Sequence, residues 1–219
     1  MLKAVIFDMD GVLVDSELEH LKVETKFLKT LGIELNDGEH STYVGTTASH
    51  KWSCIKKNHD IDKKMEELMK LNSDAYYEHI TTSKVLKPID GVTELVDKLS
   101  ENKYKLAVAS SSNMDAVEAS LKAIKLEKYF DAVVSGQYVK LSKPEPDIFL
   151  YAANKLGIKP EECLVVEDSH NGVIAANKAG MKCLGYISEH SGNQDLSSAD
   201  LIIDSFYKIS IDDLNKLFA

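Results

Sequence analysis

An α/β fold, a parallel sheet with helices on both faces and a helical insertion near its start, is predicted by the order of segments in this 219-residue chain. Two observations carry the prediction. From about residue 90 onward, strand-like and helix-like segments alternate, the order that parallel strands joined by helical crossovers require. Between the first strand-like run and residue 87, by contrast, the texture is helical, with apolar residues recurring at helical spacing.

The first strand is Ala4-Val5-Ile6-Phe7, a run of β-branched and apolar residues suited to a buried strand. Helices follow over Glu17–Leu31, ended by Gly32, and over Lys63–Ile80. The charged run from Asp62 to Glu67 reads as a solvated helix face. Alternation then resumes with a helix at 92–102, a strand at 105–109, a helix at 114–124 and a strand at 132–135. A helix at 146–156, a strand at 163–167, a helix at 171–179 and strands at 182–186 and 201–203 complete it. Residues 1–14 and 88–219 are thus expected to form the core, and residues 15–87 an α-helical cap standing over the carboxyl ends of the strands, where ligands of open α/β sheets bind.

Polar clusters sit at those strand ends. Asp8 and Asp10 follow the first strand; alternation puts both on one side of the chain, and Gly11 releases the backbone into a turn. Two buried carboxylates repel each other, so a cation is their expected companion. Lys105-Leu106-Ala107-Val108-Ala109 runs into Ser110-Ser111-Ser112, Lys143-Pro144 follows the strand at 132–135, and Cys163-Leu164-Val165-Val166 runs into Glu167-Asp168-Ser169. Each cluster has an ordinary alternative: Ser110 and Glu167-Asp168 as helix caps, Lys143 as a solvated loop lysine. Together they read as one site.

This ordered set resembles the haloacid dehalogenase superfamily, in particular its β-phosphoglucomutase-like phosphatase branch. The likeness covers nearly the whole chain, including Lys143-Pro144-Glu145-Pro146-Asp147-Ile148-Phe149 and Glu167-Asp168-Ser169-His170-Asn171-Gly172. It implies a Rossmann-like core with a helical-bundle cap, and Mg²⁺-dependent hydrolysis of a small phosphomonoester, a sugar phosphate, through an aspartyl-phosphate on Asp8. Asp10 would be general acid and base, with a pKa raised by its carboxylate neighbours, and Lys143 would cancel phosphate charge. Asp8, the Asp10 backbone carbonyl, Glu167 and Asp168 would hold the metal. Ser110 and Ser111 would bind phosphate oxygens, His20 would contact the active-site acid, and Gly45 and Thr46 of the cap loop would meet the substrate. Trp52 and His50-Lys51 are weighed for the same cap surface against plain cap packing.

Asp10 selects phosphate-ester chemistry within the superfamily, since an acid there protonates an alkoxide. Sugar-phosphate mutases typically carry a Lys just before the cap glycine and an Arg three residues after it; here Val44 and Ala48 occupy those positions. The mutases also carry a Lys after the serines, where this chain has Asn113. Hydrolysis is therefore favoured, with β-phosphoglucomutase-type mutase activity as the alternative and Lys51 or Lys56 as the cations able to serve it. A receiver-type phospho-acceptor module is disfavoured by the position of the acceptor Asp, and a silent binding protein by the intact Asp8, Asp10, Lys143 and Asp168.

Composition agrees with a globular domain: 44% hydrophobic and 28% charged residues. A formal charge of −9 argues against nucleic-acid grooves and anionic membrane surfaces. Asp8 and Asp10 interrupt the apolar N-terminal stretch, so no signal peptide is expected and a cytoplasmic monomer is the default. Cys54, Cys163 and Cys183 include no Cys-x-x-Cys spacing, and Ser188–Ser198 reads as a surface loop.

Overall fold

The computed structural model describes residues 1–36, 39, 43, 48–83 and 85–219. Six parallel strands form one sheet: β1 (Ala4–Phe7), β2 (Lys105–Ser110), β3 (Ala132–Ser135), β4 (Cys163–Glu167), β5 (Lys182–Tyr186) and β6 (Leu201–Ile203). Their order is β3-β2-β1-β4-β5-β6, so β1 lies inside the sheet, paired with β2 on one side and β4 on the other. All four β1 residues are buried. The chain builds outward from β1 to β2 and β3, then crosses back to β4, which makes the carboxyl end of β1 the switch point where such sheets bind ligands.

Strand alternation divides the core between two faces. On one, Val5, Phe7, Leu106, Val108, Leu164 and Val166 pack with α4 (Val92–Glu101), α5 (Met114–Ala123) and Leu214 of α8 (Ile211–Lys216). On the other, Ala4, Ile6, Ala107, Ala109, Cys163, Val165 and Cys183 meet α6 (Asp147–Leu156) and α7 (His170–Lys178).

Between β1 and α4, the described residues include the helices α1 (Glu17–Thr30), α2 (Ala48–Asn58) and α3 (Met65–Ser83). They share an apolar cluster of Leu28, Ile33, Tyr43, Trp52, Ile55 and Leu68. The inner face of this group continues the core, since Val23, Tyr76 and Ile80 join the cluster over α4 and α5. Helix α3 packs on α5, where Asn113 Nδ2 donates to Ser73 Oγ at 2.5 Å. Val14 pairs with Pro88, so the chain leaves and re-enters the core side by side.

Helices α2 and α8 were not among the expected elements. In α2 Trp52 and Ile55 are the buried apolar residues, too narrow a stripe to stand out among lysines, serines and a histidine. Helix α8 spans six residues, fewer than two turns. Helix α3 begins at Met65 rather than Lys63 and continues to Ser83.

Candidate active site

The strand ends place the polar clusters at one edge. Asp8 N donates to Val166 O at 2.9 Å, extending the β1–β4 pairing so that Asp8 and Glu167-Asp168 leave adjacent strands together. Just beyond, the amides of Leu13 and Val14 close on Met9 O at 2.9 and 3.1 Å. Gly11, at φ 79°, completes this turn for two reasons: its backbone is left-handed, and a Cβ there would overlap the Asp168 carboxylate.

Lys143 reaches in from the segment after β3 and is buried. Its Nζ donates to Asp8 Oδ1, to Glu167 Oε1 at 2.6 Å and to Ala109 O at 3.3 Å, while Phe149 lies beneath it with its ring centre 4.8 Å away. Burial works against the ammonium, but the charges of Asp8 and Glu167 outweigh it and hold the Lys143 pKa above the ordinary lysine range. Lys143 is the fixed cation of the site.

Glu167 spends both oxygens on protein donors. Oε1 takes Lys143, and Oε2 accepts the Asp168 and Ser169 amides at 3.0 Å each and the Ser169 hydroxyl at 2.9 Å. A Cβ at Gly172 would overlap this carboxylate, so the glycine makes its pocket. Both Glu167 oxygens thus have protein donors, and the carboxylate anchors Lys143.

Asp8 and Asp168 are held differently. Burial lifts the Asp8 carboxyl to about 7 against the pull of Lys143, with Glu167 and Asp10 adding to the rise. Burial likewise lifts Asp168 well above the usual carboxylate range, helped by the charges of Glu167 and Asp8; Ser191 Oγ donates to Asp168 Oδ2. Three buried carboxylates thus share one ammonium, leaving the edge short of positive charge. Among the described residues no three His, Cys, Asp or Glu side chains gather closely enough to hold a metal ion by themselves. Magnesium needs no such cage, since it keeps several waters and takes one or two carboxylates. The oxygen donors and unbalanced charge of Asp8, Asp168 and the neighbouring backbone fit it.

Asp10 faces the other way, toward α1 and β2. Oδ1 accepts from Ser16 Oγ at 2.5 Å and lies 3.5 Å from His20 Nε2; Oδ2 accepts from Ser112 Oγ at 3.0 Å, with Ser110 Oγ at 3.5 Å. Burial raises its pKa, but His20, Ser16 and Ser112 together lower it to about 2. The expected raised pKa is corrected: hydrogen bonds to the charged form win over burial and over the nearby carboxylates. His20 is itself set in place by Tyr76, ring on ring at 3.7 Å between centres.

Asp8, Asp10, His20, Ser110, Lys143, Glu167 and Asp168 therefore converge. Ser111 does not join the bonds around Asp10; it is exposed, and Ser112 makes that contact. Gly45 and Thr46 lie outside the described residues. Missed in the sequence were Ser16, Ser112 and Ser191. The loop read as surface is partly so, yet it returns to the site: Ser191 meets Asp168, His190 Nδ1 lies 2.9 Å from Asp15, and Gln194 Oε1 accepts the amide of His170 at 3.0 Å. Only the spacing of Ser16 and His20 along α1 offered a signal.

A family model for haloacid dehalogenase-like hydrolases matches residues 5–186. The phosphorylated carbohydrates phosphatase of Thermotoga maritima is 32% identical over 181 residues, 83% of each chain. Protein CbbY of Rhodobacter capsulatus is 31% identical over 210 residues, 91% of each. A crystal structure of CbbY from Rhodobacter sphaeroides in complex with phosphate has a TM-score of 0.88 at 24% identity, over 98% of this chain and 100% of that one, a likeness of fold. The family match begins before Asp8 and ends after Asp168, so it takes in every group gathered at the strand ends, and the chain belongs to the haloacid dehalogenase-like hydrolases.

Proposed function

We propose that this chain is a phosphatase acting on a phosphorylated sugar or similar small phosphomonoester, with Asp8 as nucleophile and Mg²⁺ as cofactor. The observation that carries the reading is the clamp of Lys143 on Asp8 and Glu167. It holds Asp8 Oδ1 and leaves Oδ2 without a protein donor among the described residues, the oxygen available to attack phosphorus. Attack by a carboxylate on a phosphate dianion is opposed by charge, and Lys143 supplies fixed positive charge on the other oxygen of the attacking carboxylate.

The metal would be held by Asp8, the Asp10 carbonyl and Asp168, and when bound it neutralises phosphate charge. The Ser110 hydroxyl, fully buried at the end of β2, is placed to steady a phosphate oxygen. Asp10, with its pKa near 2, is in its base form, suited to take a proton from the attacking water in the second step. To protonate the leaving alkoxide in the first step it must exchange Ser16 or Ser112 for a proton. Residues 15–87 serve in this reading as a cap that excludes water until the acceptor is needed.

The relatives support the substrate class, one of them being named as a phosphatase of phosphorylated carbohydrates. Mutase activity requires cations for a second phosphate. Val44 and Ala48 carry no charge, and Lys51 is engaged by Glu24. The test is release of inorganic phosphate from p-nitrophenyl phosphate and a panel of sugar phosphates, with and without Mg²⁺. Wild type should turn over only with the metal, and Asp8→Asn should lose turnover by orders of magnitude while keeping its circular dichroism. Undiminished activity after EDTA, or a competent Asp8→Asn, would overturn the assignment.

A further inference from the structure

Ser135, the last residue of β3, pairs in register with Ser110, the last of β2, and is fully buried. Its Oγ donates to Ser112 O at 2.7 Å and accepts the amide of Gln137 at 3.2 Å, so one side chain ties the turn after β3 to the loop after β2. The next residue, Gly136, presses on the same loop. A Cβ there would stand 3.1 Å from Ser111 O and 3.3 Å from Ser111 Cα, closer than side chains ordinarily approach. Gln137 fastens the far end of the loop, its Oε1 accepting the amide of Met114, the first residue of α5, at 3.1 Å. Asn113, the residue before that helix, leaves its side chain out of the cap and turns it to Ser73 of α3.

The braced loop carries two hydroxyls of the site. Ser112 Oγ donates to Asp10 Oδ2, while the Ser112 amide donates to Ser110 Oγ at 3.0 Å. With that lone pair taken, the Ser110 hydroxyl keeps its proton for an oxygen in the site. Both hydroxyls thus depend on where the Ser112 backbone lies, and the Ser112 carbonyl is the atom that Ser135 holds. Ser135 has an ordinary role as well, since a serine that accepts the amide two residues on stabilises a turn. That role uses only the acceptor side of the hydroxyl. The donor side goes to Ser112, and the approach of Gly136 to Ser111 is a second, independent contact on the loop. Phosphoryl transfer depends chiefly on positioning and electrostatics, and a shift of about 1 Å in a positioned group costs on the order of a hundredfold in rate.

We propose that Ser135 and Gly136 are positioning residues for phosphoryl transfer, setting the backbone of loop 110–112 from behind and, through it, the Ser110 and Ser112 hydroxyls. The proposal rests on the phosphatase reading and adds to it two residues outside the reach of the substrate. Ser135→Ala removes the bond to Ser112 O. Gly136→Ala keeps every hydrogen bond but asks Ser111 to give way by a few tenths of an ångström, on a backbone outside the left-handed region. For each, kcat and KM are measured on p-nitrophenyl phosphate and the best sugar monophosphate, together with the inhibition constant of inorganic phosphate and the urea midpoint. Ser135→Ala should lower kcat about tenfold on both esters and weaken inhibition by inorganic phosphate about fivefold. Gly136→Ala should lose about fivefold in kcat with its urea midpoint near that of wild type, and it decides the matter alone where Ser135→Ala does not fold. Residues serving only the turn would move the urea midpoint and leave kcat per folded molecule and phosphate inhibition alone, so values of both within about twofold of wild type in the folded variants would overturn the proposal. A wild type that hydrolyses none of the esters would instead overturn the phosphatase reading, and the positioning role with it.

Discussion

Asp10 keeps its negative charge in a place where burial alone would remove it, because His20, Ser16 and Ser112 all bind the ionised carboxylate. The shift from 3.8 to about 2 corresponds to roughly 2 kcal/mol of interaction in the folded state. The folded pKa lies below the unfolded one, so this stability is complete above about pH 4 and is lost as pH falls through 2. Replacing His20 by Ala removes the strongest of the interactions that favour the ionised carboxylate. The Asp10 pKa should then rise toward or above its ordinary value, which carboxyl ¹³C titration reads directly; a pKa still near 2 in His20→Ala would assign the compensation to the two serines. Residues of this kind separate what was legible in the sequence from what was not. Asp8, Lys143 and Asp168 could be named because type and strand-end position together determine where they lie. The bond from Lys143 to Glu167 could not, since it depends on where the ammonium arrives from a segment 24 residues away. Ser191 was hidden for the same reason, its contact to Asp168 being made by a long loop that reads as ordinary surface.

At the scale of elements, the strands were legible because buried parallel strands are short continuous apolar runs, and β1, β3, β4, β5 and β6 begin and end where the sequence predicts. Helix α7 shows how an element end and a site become one structure. Ser169 is its N-cap, accepting the Gly172 amide at 3.1 Å, and the same hydroxyl donates to Glu167 Oε2 at 2.9 Å. The helix cap, the alternative role of Glu167-Asp168, is supplied by Ser169 instead, directly beside them. Ser169→Ala should lose the cap and one of the donors fixing Glu167, a cost of about 1–3 kcal/mol in urea denaturation. Ser169→Thr should recover most of it. A loss below about 0.5 kcal/mol would mean that backbone amides alone hold Glu167 and the helix start.

For the whole molecule, the site stands on a charge imbalance that the fold tolerates. Asp8, Glu167 and Asp168 are buried with a single ammonium among them, and burial with mutual repulsion raises Asp8 and Asp168 above their usual range. A carboxyl raised in the folded state opposes folding whenever it is ionised, so near neutral pH these two groups reduce stability, and a cation between them restores it. Magnesium should raise the melting temperature, by an amount equivalent to about 2.7 kcal/mol at a hundred times its dissociation constant. Asp168→Asn keeps the shape and removes one of the repelling charges. This variant should melt no lower than wild type without metal, while gaining far less from magnesium. Both halves are read in one set of thermal scans with EDTA or added Mg²⁺, independently of any substrate. An Asp168→Asn protein that gained as much from magnesium as wild type would place the ion elsewhere, and one that melted well below wild type in EDTA would show that the bond from Ser191 outweighs the repulsion it sits beside.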